Sequence, residues 1–329
     1  MKKRSPLVGS SGVALVVVLW AVTLISAAML GLAALLQRQL GQEVAGLQNA
    51  RAVLVAESGI QMVLNRGIGR ADVEQASQQL SGQLGDDWRF NGRKVPVHFE
   101  VKAEDFVGEE GRLNLNFWLS ADNQQVGRRI LQNLFASWDV DLNTQLKVID
   151  ALQDWVDGDS MTKAQGAERE EYQSLRLSGP RNGRFERLEE VERVMGWKEL
   201  ARQASAGTNA VDWHRKFTVF GSGKLSLLTA DQDVLEAVLE MKPGAAKSFM
   251  LARKGPDAAE GTADDQVNAS LLVGVSTNTL AERTSPGGED LWRVTSTGYV
   301  GEAKRTVVAL ISRNPLPQIK ARWTEDNKP

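Results

Sequence analysis

The chain has no cysteine among its 329 residues and only two histidines. The first absence excludes disulfides, thiolate catalysis and cysteine-ligated zinc or iron–sulfur sites. His98 and His214 lie far apart in the sequence, and we interpret each as a surface or packing residue rather than a metal ligand. No sign of charge predominates, because 39 basic and 41 acidic side chains give a formal net charge of -2. We therefore expect no nucleic-acid partner.

A long uncharged segment is present near the amino terminus. Residues 13–36 carry no charge, and about 24 residues rising roughly 1.5 Å each reach about 36 Å, enough to cross the hydrocarbon core of a bilayer. The basic residues Lys2, Lys3 and Arg4 precede the segment and favour a cytoplasmic amino terminus. We expect a single membrane pass with nearly all of the chain on the far side.

An amphipathic segment follows and should continue the same helix away from the membrane. Its apolar residues recur at three- and four-residue steps among polar and charged ones, which is typical of a helix with one apolar face. We expect this face to pack on the globular part of the protein; it comprises Leu40, Val44, Leu47 and Leu54. Gly67 and Gly69 indicate the end of the helix.

Two groups of strand-like segments flank a helix-rich region. Residues 94–101 alternate in polarity, and "GEEGRLNLN" predicts a turn and a second short strand through Leu113 and Leu115. Residues 267–276 and 291–313 predict three further strands. Between the groups, "RRILQNLFASW", "TQLKVIDALQDWV" and "FERLEEVERVMGW" have helical character. This order predicts an α+β fold, in which a large helical domain is inserted between strand groups of an antiparallel sheet.

Residues 154–172, "DWVDGDSMTKAQGAEREEY", hold six carboxylates against one lysine and one arginine. Like charges three or four residues apart repel along a helix, so the run needs a compensating cation or full hydration. A catalytic carboxylate pair is disfavoured, because no histidine base or sugar-binding aromatic platform lies nearby. A regular EF-hand is excluded, since the side chain of Met161 has no ligand oxygen and Thr162 stands where the loop needs glycine.

A looser calcium loop and a solvated acidic loop both remain compatible with these residues. Magnesium is less suitable because of its strict octahedral geometry. The ligands that we would choose are Asp157, Asp159, Glu168 and Glu171, with Asp154 and Glu170 in reserve. A bound ion would be structural, because it would neutralise the carboxylates and hold "SMTKAQG" in one conformation.

The junction of the basic head and the apolar segment resembles the leader of type IV prepilins and type II secretion pseudopilins. Gly12 directly precedes Val13, and the resemblance implies cleavage after Gly12 by a prepilin peptidase and methylation of Val13. An uncut signal anchor fits the same residues. After cleavage Val17 would be the fifth residue, where most such subunits have a glutamate, and this departure favours a terminal subunit over a repeating one.

Five further segments resemble, in order and spacing, the general secretion pathway protein K family of type II secretion. They are "GRLNLN", "VIDALQDWVDGDS", "GAEREEY", "LEEVERVMGW" and "GSGKLSLLTADQDVLEAVL". The resemblance implies a pilin-like fold and a minor pseudopilin that is not an enzyme. Such a subunit caps the pseudopilus tip, primes assembly with minor pseudopilins I and J, and has the remaining pseudopilins as further candidate partners. It also implies one or two Ca²⁺ ions, an inner-membrane anchor and a periplasmic head.

The expected organisation has five parts. Residues 1–12 form a leader, residues 13–66 the membrane and pilin helix, residues 67–116 and 218–313 a pilin-like α/β domain, residues 117–217 the helical insert, and residues 314–329 an irregular tail. The alternative hypothesis is a membrane-anchored periplasmic enzyme with a carboxylate metal site. Because hydrolytic metal sites usually include histidine, the sequence favours the assembly protein.

Overall fold

The computed structural model describes residues 11–66, 89–90, 93–94, 96–102, 106–206, 210–256, 265–285, 291–312 and 317–325. One helix, α1 (Ser11–Arg66), contains 56 residues and ends where the sequence predicted. Its segment Leu15–Asn65 is long and apolar enough to cross a membrane, and its apolar part is exposed. Residues 1–10, most of the expected leader, lie outside the described residues.

A five-stranded antiparallel sheet packs against α1. It is formed by β3 (Val97–Glu100), β4 (Phe106–Gly108), β9 (Leu291–Val300), β10 (Ala303–Ser312) and β11 (Gln318–Glu325). Strands β3 and β4 pair with opposite halves of β9, and β10 and β11 extend the sheet on its other side. The tight β9–β10 turn at Gly301 confirms the predicted strand pair. A separate short hairpin joins β1 (Arg89–Phe90) and β2 (Arg93–Lys94).

The face of α1 that packs on the sheet differs from the predicted one. Its buried residues belong to one core with β3, β4, β9 and β10; they are Ala52, Val55, Ala56, Ile60 and Val63. Leu40, Leu47 and Leu54 are 60%, 57% and 61% exposed, so the prediction that they pack on the head was wrong. Small residues let the helix backbone approach the sheet closely, and larger leucines are left on the opposite face.

Two glycines allow that close approach. A Cβ added to Gly298 on β9 would lie 2.1 Å from the carbonyl oxygen of Ala52 and 2.5 Å from the amide of Ala56. A Cβ on Gly59 would lie 2.3 Å from Oγ of Ser296. The cost of a helical glycine at position 59 is thus offset by tighter contact between helix and sheet.

We expect Gly298→Ala to lower the free energy of unfolding by about 1–3 kcal/mol, the usual cost of overpacking, because the methyl group would meet backbone atoms that cannot move aside. Gly46→Ala is the matched control, since nothing lies within 4 Å of its added Cβ and alanine is the better helix former by about 1 kcal/mol. Denaturant titration of both variants measures the difference. Equal stability of the two would contradict this account of the helix–sheet contact.

The helical domain lies between β4 and β9 in the chain. Its helices are α2 (Leu115–Trp118), α3 (Gln124–Ser137), α4 (Leu142–Val156), α5 (Arg169–Ser174), α6 (Trp197–Ala206), α7 (Gln232–Val238), α8 (Lys247–Arg253) and α9 (Thr277–Arg283). Short 3₁₀ turns occur at Leu188–Arg193, Trp213–Arg215 and Ala269–Leu271. Two parallel strand pairs, β5 (Leu113–Asn114) with β6 (Phe217–Thr218) and β7 (Leu225–Ser226) with β8 (Thr284–Ser285), tie distant segments together.

The insert is longer than predicted. Residues 219–256 and 265–272 belong to the helical domain and not to the sheet domain, because Leu227, Leu235 and Phe249 are buried in the same core as Phe135 and Trp197. The predicted strand at residues 267–276 is instead a 3₁₀ helix followed by a turn at Gly274, whose φ is +88°. Leu115, predicted to be in a strand, begins α2. Short apolar segments with turns at both ends suit either element, and packing on the helical core decides between them.

Part of the predicted irregular tail is instead a strand, β11, which corrects that prediction for residues 318–325. Proline is excluded from central strands. Pro317 does not break this rule, because β11 begins at the next residue, Gln318. In β11 the half-buried Ile319, Ala321 and Trp323 alternate with exposed residues. This alternation is the signal of a half-buried strand, and the prolines obscured it.

A buried carboxylate joins the sheet to the helical domain. Glu109, fully buried after β4, accepts hydrogen bonds from Nε and Nη2 of Arg293 on β9 at 2.9 and 2.8 Å. It also accepts one from Oγ1 of Thr218 on β6, and Arg112 lies 3.8 Å away. Burial raises the pKa of Glu109, but the hydrogen bonds and charge of Arg293 outweigh it and the net pKa is lowered. Glu109 is therefore ionised and fixes the two domains to each other.

Candidate metal centre

The acidic run begins at the end of α4, whose apolar side enters the helical core through Val148, Leu152 and Trp155. Two aspartates of the same helix are also buried: Asp150 is 4% and Asp154 0% exposed. They are not solvated, because the loop that follows the helix folds back over them. Charged side chains this deeply buried require partners.

Backbone amides of the loop provide those partners. The amide of Lys163 donates to Oδ2 of Asp154 at 3.1 Å, and the amide of Gln165 donates to Oδ2 of Asp150 at 3.0 Å. Arg128 of α3 forms an ion pair with Asp150. A Cβ on Gly166 would lie 1.9 Å from Oδ2 of Asp154, so a larger residue there would displace the loop or the carboxylate.

Helix α5 returns the chain to the same place. Tyr172 is fully buried, packs edge-on against Trp155 at a centroid distance of 5.7 Å, and accepts a hydrogen bond from the amide of Met195. These contacts hold the start of α5, where Glu168 is the N-cap residue. The Glu168 side chain is thereby placed beside the end of α4.

Three carboxylates converge at this point. Ligand oxygens of Asp157, Asp159 and Glu168 all lie within 4.8 Å of one another. Asp159 is exposed, Asp157 is half-buried and Glu168 is only 4% exposed. Among the described residues, no hydrogen-bond donor reaches Oε1 of Glu168 or Oδ1 of Asp157, although both atoms are buried. A hard cation that takes oxygen ligands would satisfy both atoms.

The pKa values record the same excess of negative charge. Burial, followed by the charges of Asp154, Asp157 and Asp159, raises the pKa of Glu168 above its ordinary value of 4.5. Burial likewise raises the pKa of Asp154, against the opposing effect of its hydrogen bonds to Lys163. A divalent cation would reverse these effects by favouring the charged form of each carboxylate.

The other three predicted ligands lie outside the group of converging oxygens. Oε2 of Glu171 accepts a hydrogen bond from the amide of Glu168 at 2.8 Å, which completes the capping of α5. Glu170 is exposed in the first turn of α5. Asp154 is bound by Lys163. The structure thus gives Glu171 and Asp154 roles in holding the loop.

Two contributors to this centre were missed by the sequence analysis. Lys163 places its Nζ 2.7 Å from Oδ2 of Asp157 and 3.3 Å from Oδ1 of Asp154. Asn182, at a φ of +52°, donates from Nδ2 to the carbonyl oxygen of Asp159 at 2.7 Å. The single lysine within the acidic run was a usable signal for the first, whereas Asn182 is too distant in sequence to be inferred.

The architecture defines a class of protein: a pilin-like subunit whose long helix, apolar enough to cross a membrane, packs on an antiparallel sheet that carries a helical insert. Residues 111–206 match the family model described as type II secretion system (T2SS), protein K. No curated protein matches the sequence significantly.

The fold has a counterpart among solved structures. A chain of the crystal structure of the GspK-GspI-GspJ complex from the type 2 secretion system of enterotoxigenic Escherichia coli superimposes with a TM-score of 0.56. The identity is 15%, and the match covers 88% of this chain and 99% of that one. Residues 111–206 are thus similar to the protein K family of type II secretion, and the chain shares its fold over most of its length with a chain of that complex.

Proposed function

We propose that this chain is a minor pseudopilin that caps the tip of the pseudopilus and primes its assembly with minor pseudopilins I and J. The observation that carries the proposal is the combination of a long exposed apolar helix with a helical domain inserted between β4 and β9. A helix of this kind can join a bundle of similar helices. A head enlarged by such an insert is hard to repeat along a thin filament, which favours the terminal position.

The amino-terminal features support the same position. Val17 is exposed on α1, where cleavage after Gly12 would put it in fifth place. A subunit with valine there offers no carboxylate to the charged amino terminus of a neighbour inside the membrane, where an unpaired charge is costly. The proposal includes cleavage by the prepilin peptidase, methylation of Val13, an inner-membrane anchor and a periplasmic head.

The exposed leucines of α1 provide a surface for partner helices. Leu40, Leu47 and Leu54 recur every seven residues on the face away from the sheet. This spacing is typical of a helix–helix seam, and the surface continues directly from the membrane segment. A partner helix must therefore leave the membrane beside α1, as those of other pseudopilins would.

Leu47→Arg should weaken association with minor pseudopilins I and J by at least about tenfold, because a charge would be buried in an apolar contact worth more than about 1.4 kcal/mol. Leu142→Arg is the matched control, since Leu142 is 64% exposed in the head. Co-purification of the full-length chain with tagged partners from membranes measures the effect. Loss of the complex in both variants, or in neither, would argue against this seam.

We also propose that Asp157, Asp159 and Glu168 hold a structural Ca²⁺ ion. Three converging carboxylates and two buried oxygens without donors support it, and flexible oxygen coordination suits calcium better than magnesium. Nearby backbone carbonyls such as that of Asp159 are further candidate ligands. The ion would hold the loop between α4 and α5, so its binding would contribute to folding of the insert.

The enzyme hypothesis gains no support from the site. The protein K family is a structural component of secretion. His98 lies on β3 and His214 in the 3₁₀ turn Trp213–Arg215, and neither belongs to the group of converging carboxylates. A carboxylate cage without a nearby base suits a structural ion.

A further inference from the structure

The side chain of Lys163 lies within the carboxylate cluster as a cation supplied by the chain itself. Its ammonium contacts Asp157 at 2.7 Å and Asp154 at 3.3 Å, and its backbone amide also donates to Asp154. The Asp154 side chain is completely buried. Removing Lys163 would leave that carboxylate with a negative charge and no cationic neighbour among these contacts.

The oxygens that Lys163 binds are different from the buried oxygens that have no hydrogen-bond donor. Lys163 takes Oδ2 of Asp157 and both oxygens of Asp154. The buried oxygens without donors are Oδ1 of Asp157 and Oε1 of Glu168. Asp157 therefore faces the ammonium with one oxygen and the candidate ion site with the other, so an ion can bind without displacing the lysine.

The charges of these side chains also indicate one position for the lysine and one for a divalent ion. Asp154, Asp157, Asp159 and Glu168 bring four negative charges, and Lys163 offsets one of them. With Lys163 in place, one divalent ion would leave these groups with a net charge of −1, and a second would make the net charge positive. A second would have to occupy the position of the ammonium, because that is where the oxygens of Asp154 are directed.

We propose that Lys163 is a tethered cation that stays in the centre when the divalent ion binds and thereby limits the centre to a single Ca²⁺. This inference rests on the proposed calcium site and adds the stoichiometry of that site and the residue that sets it. The lysine fills one cation position permanently, and calcium fills the other.

Amine labelling of the wild-type, full-length chain in detergent tests whether the lysine stays in place. A brief pulse of an acetylating reagent, read by peptide mass spectrometry, is applied with chelator and with saturating calcium. We expect Lys163 to react slowly in both conditions, as should Lys216, which lies between Asp231 and Asp233 at 2.8 Å from each. Labelling of Lys163 that rises on calcium addition toward the rate of the exposed Lys242, with Lys216 unchanged, would overturn the proposal.

Ion counting tests the stoichiometry independently. We expect native mass spectrometry in calcium to show one bound ion for the wild type and for Lys163→Arg, and two for Lys163→Met, where the vacated position between Asp154 and Asp157 becomes available. A single ion in Lys163→Met, bound more tightly than in the wild type, would mean that the lysine only competes with that ion and does not set the number of ions. This result would overturn the proposal. Two ions in the wild type would overturn this proposal and leave the calcium site standing; none would overturn both.

Discussion

We expect Glu109→Ala to lower the free energy of unfolding by about 3–5 kcal/mol, the usual cost of removing one partner of a buried ion pair. Arg293 would keep its charge in a partly buried position without the carboxylate that now accepts its two hydrogen bonds. Thr218 would lose its acceptor as well. Because these contacts join β9 and β6, the loss should also uncouple the sheet from the helical domain.

Denaturant titration with two probes measures this effect. Tryptophan fluorescence reports mainly on the helical core, which contains Trp138, Trp155 and Trp197, and protection of β9 and β10 amides from hydrogen exchange reports on the sheet. The wild type should show coincident transitions and Glu109→Ala separate ones. Glu282→Ala, an exposed change on α9, is the control. A loss within about 0.5 kcal/mol, as for an ordinary surface residue, would refute the proposed role of Glu109.

Calcium removal is expected to have a comparable effect on the helical domain. At free calcium 100 to 1,000 times the dissociation constant, binding to the folded state alone adds about 2.7–4.1 kcal/mol. Chelator should therefore lower the melting temperature of the insert, and added calcium should restore it. The pair of changes Asp157→Asn and Glu168→Gln should abolish the response, since it removes the charge at both buried oxygens that lack donors.

The matched control changes two carboxylates that also share a lysine. Asp231→Asn with Asp233→Asn leaves Lys216 without its partners but lies outside the converging group. This variant should keep the full calcium response whatever its own stability. A calcium response that persists in the Asp157 and Glu168 variant would remove those two residues from the ligand set.

The response should also depend on pH. Without metal, the pKa of Glu168 is raised by burial and by its acidic neighbours. A raised pKa in the folded state adds stability below the unfolded value, near 4.5, and this contribution is lost as pH rises through the folded pKa. The metal-free chain therefore loses stability as pH rises in that window. Calcium binds the ionised form, so its stabilising effect should be full at neutral pH and shrink as pH falls.

The fold class followed from sequence because its signals are local. The uncharged segment, the alternation around Val97–Glu100 and the turn at Gly301 each specify their element within a few residues. The extent of the insert did not follow, since helices as short as Gln232–Val238 and Lys247–Arg253 are stabilised by burial in a core built from distant segments. The packing face of α1 depended on Gly59 and Gly298, whose proximity only the tertiary structure reveals.

The candidate centre was likewise only partly predictable from the sequence. The sequence analysis chose Asp157, Asp159, Glu168 and Glu171 as ligands, with a solvated loop as the alternative, and the structure brings the first three together. Calcium itself stays a prediction. The roles of Lys163 and Gly166 depend on how the loop folds back over Asp154, a long-range consequence of packing Tyr172 against Trp155. The sequence does not show which residues a long, flexible side chain such as that of Lys163 will contact.

The measurement that tests the central claim most directly is the amino terminus of the mature protein. We would recover the chain from cell membranes and determine its first residue and mass by mass spectrometry. A chain beginning with N-methylated Val13 is the predicted result, because it would make the protein a prepilin peptidase substrate that can join a pseudopilus. An intact Met1, or a cut elsewhere, would contradict assembly into the filament and leave a static anchor.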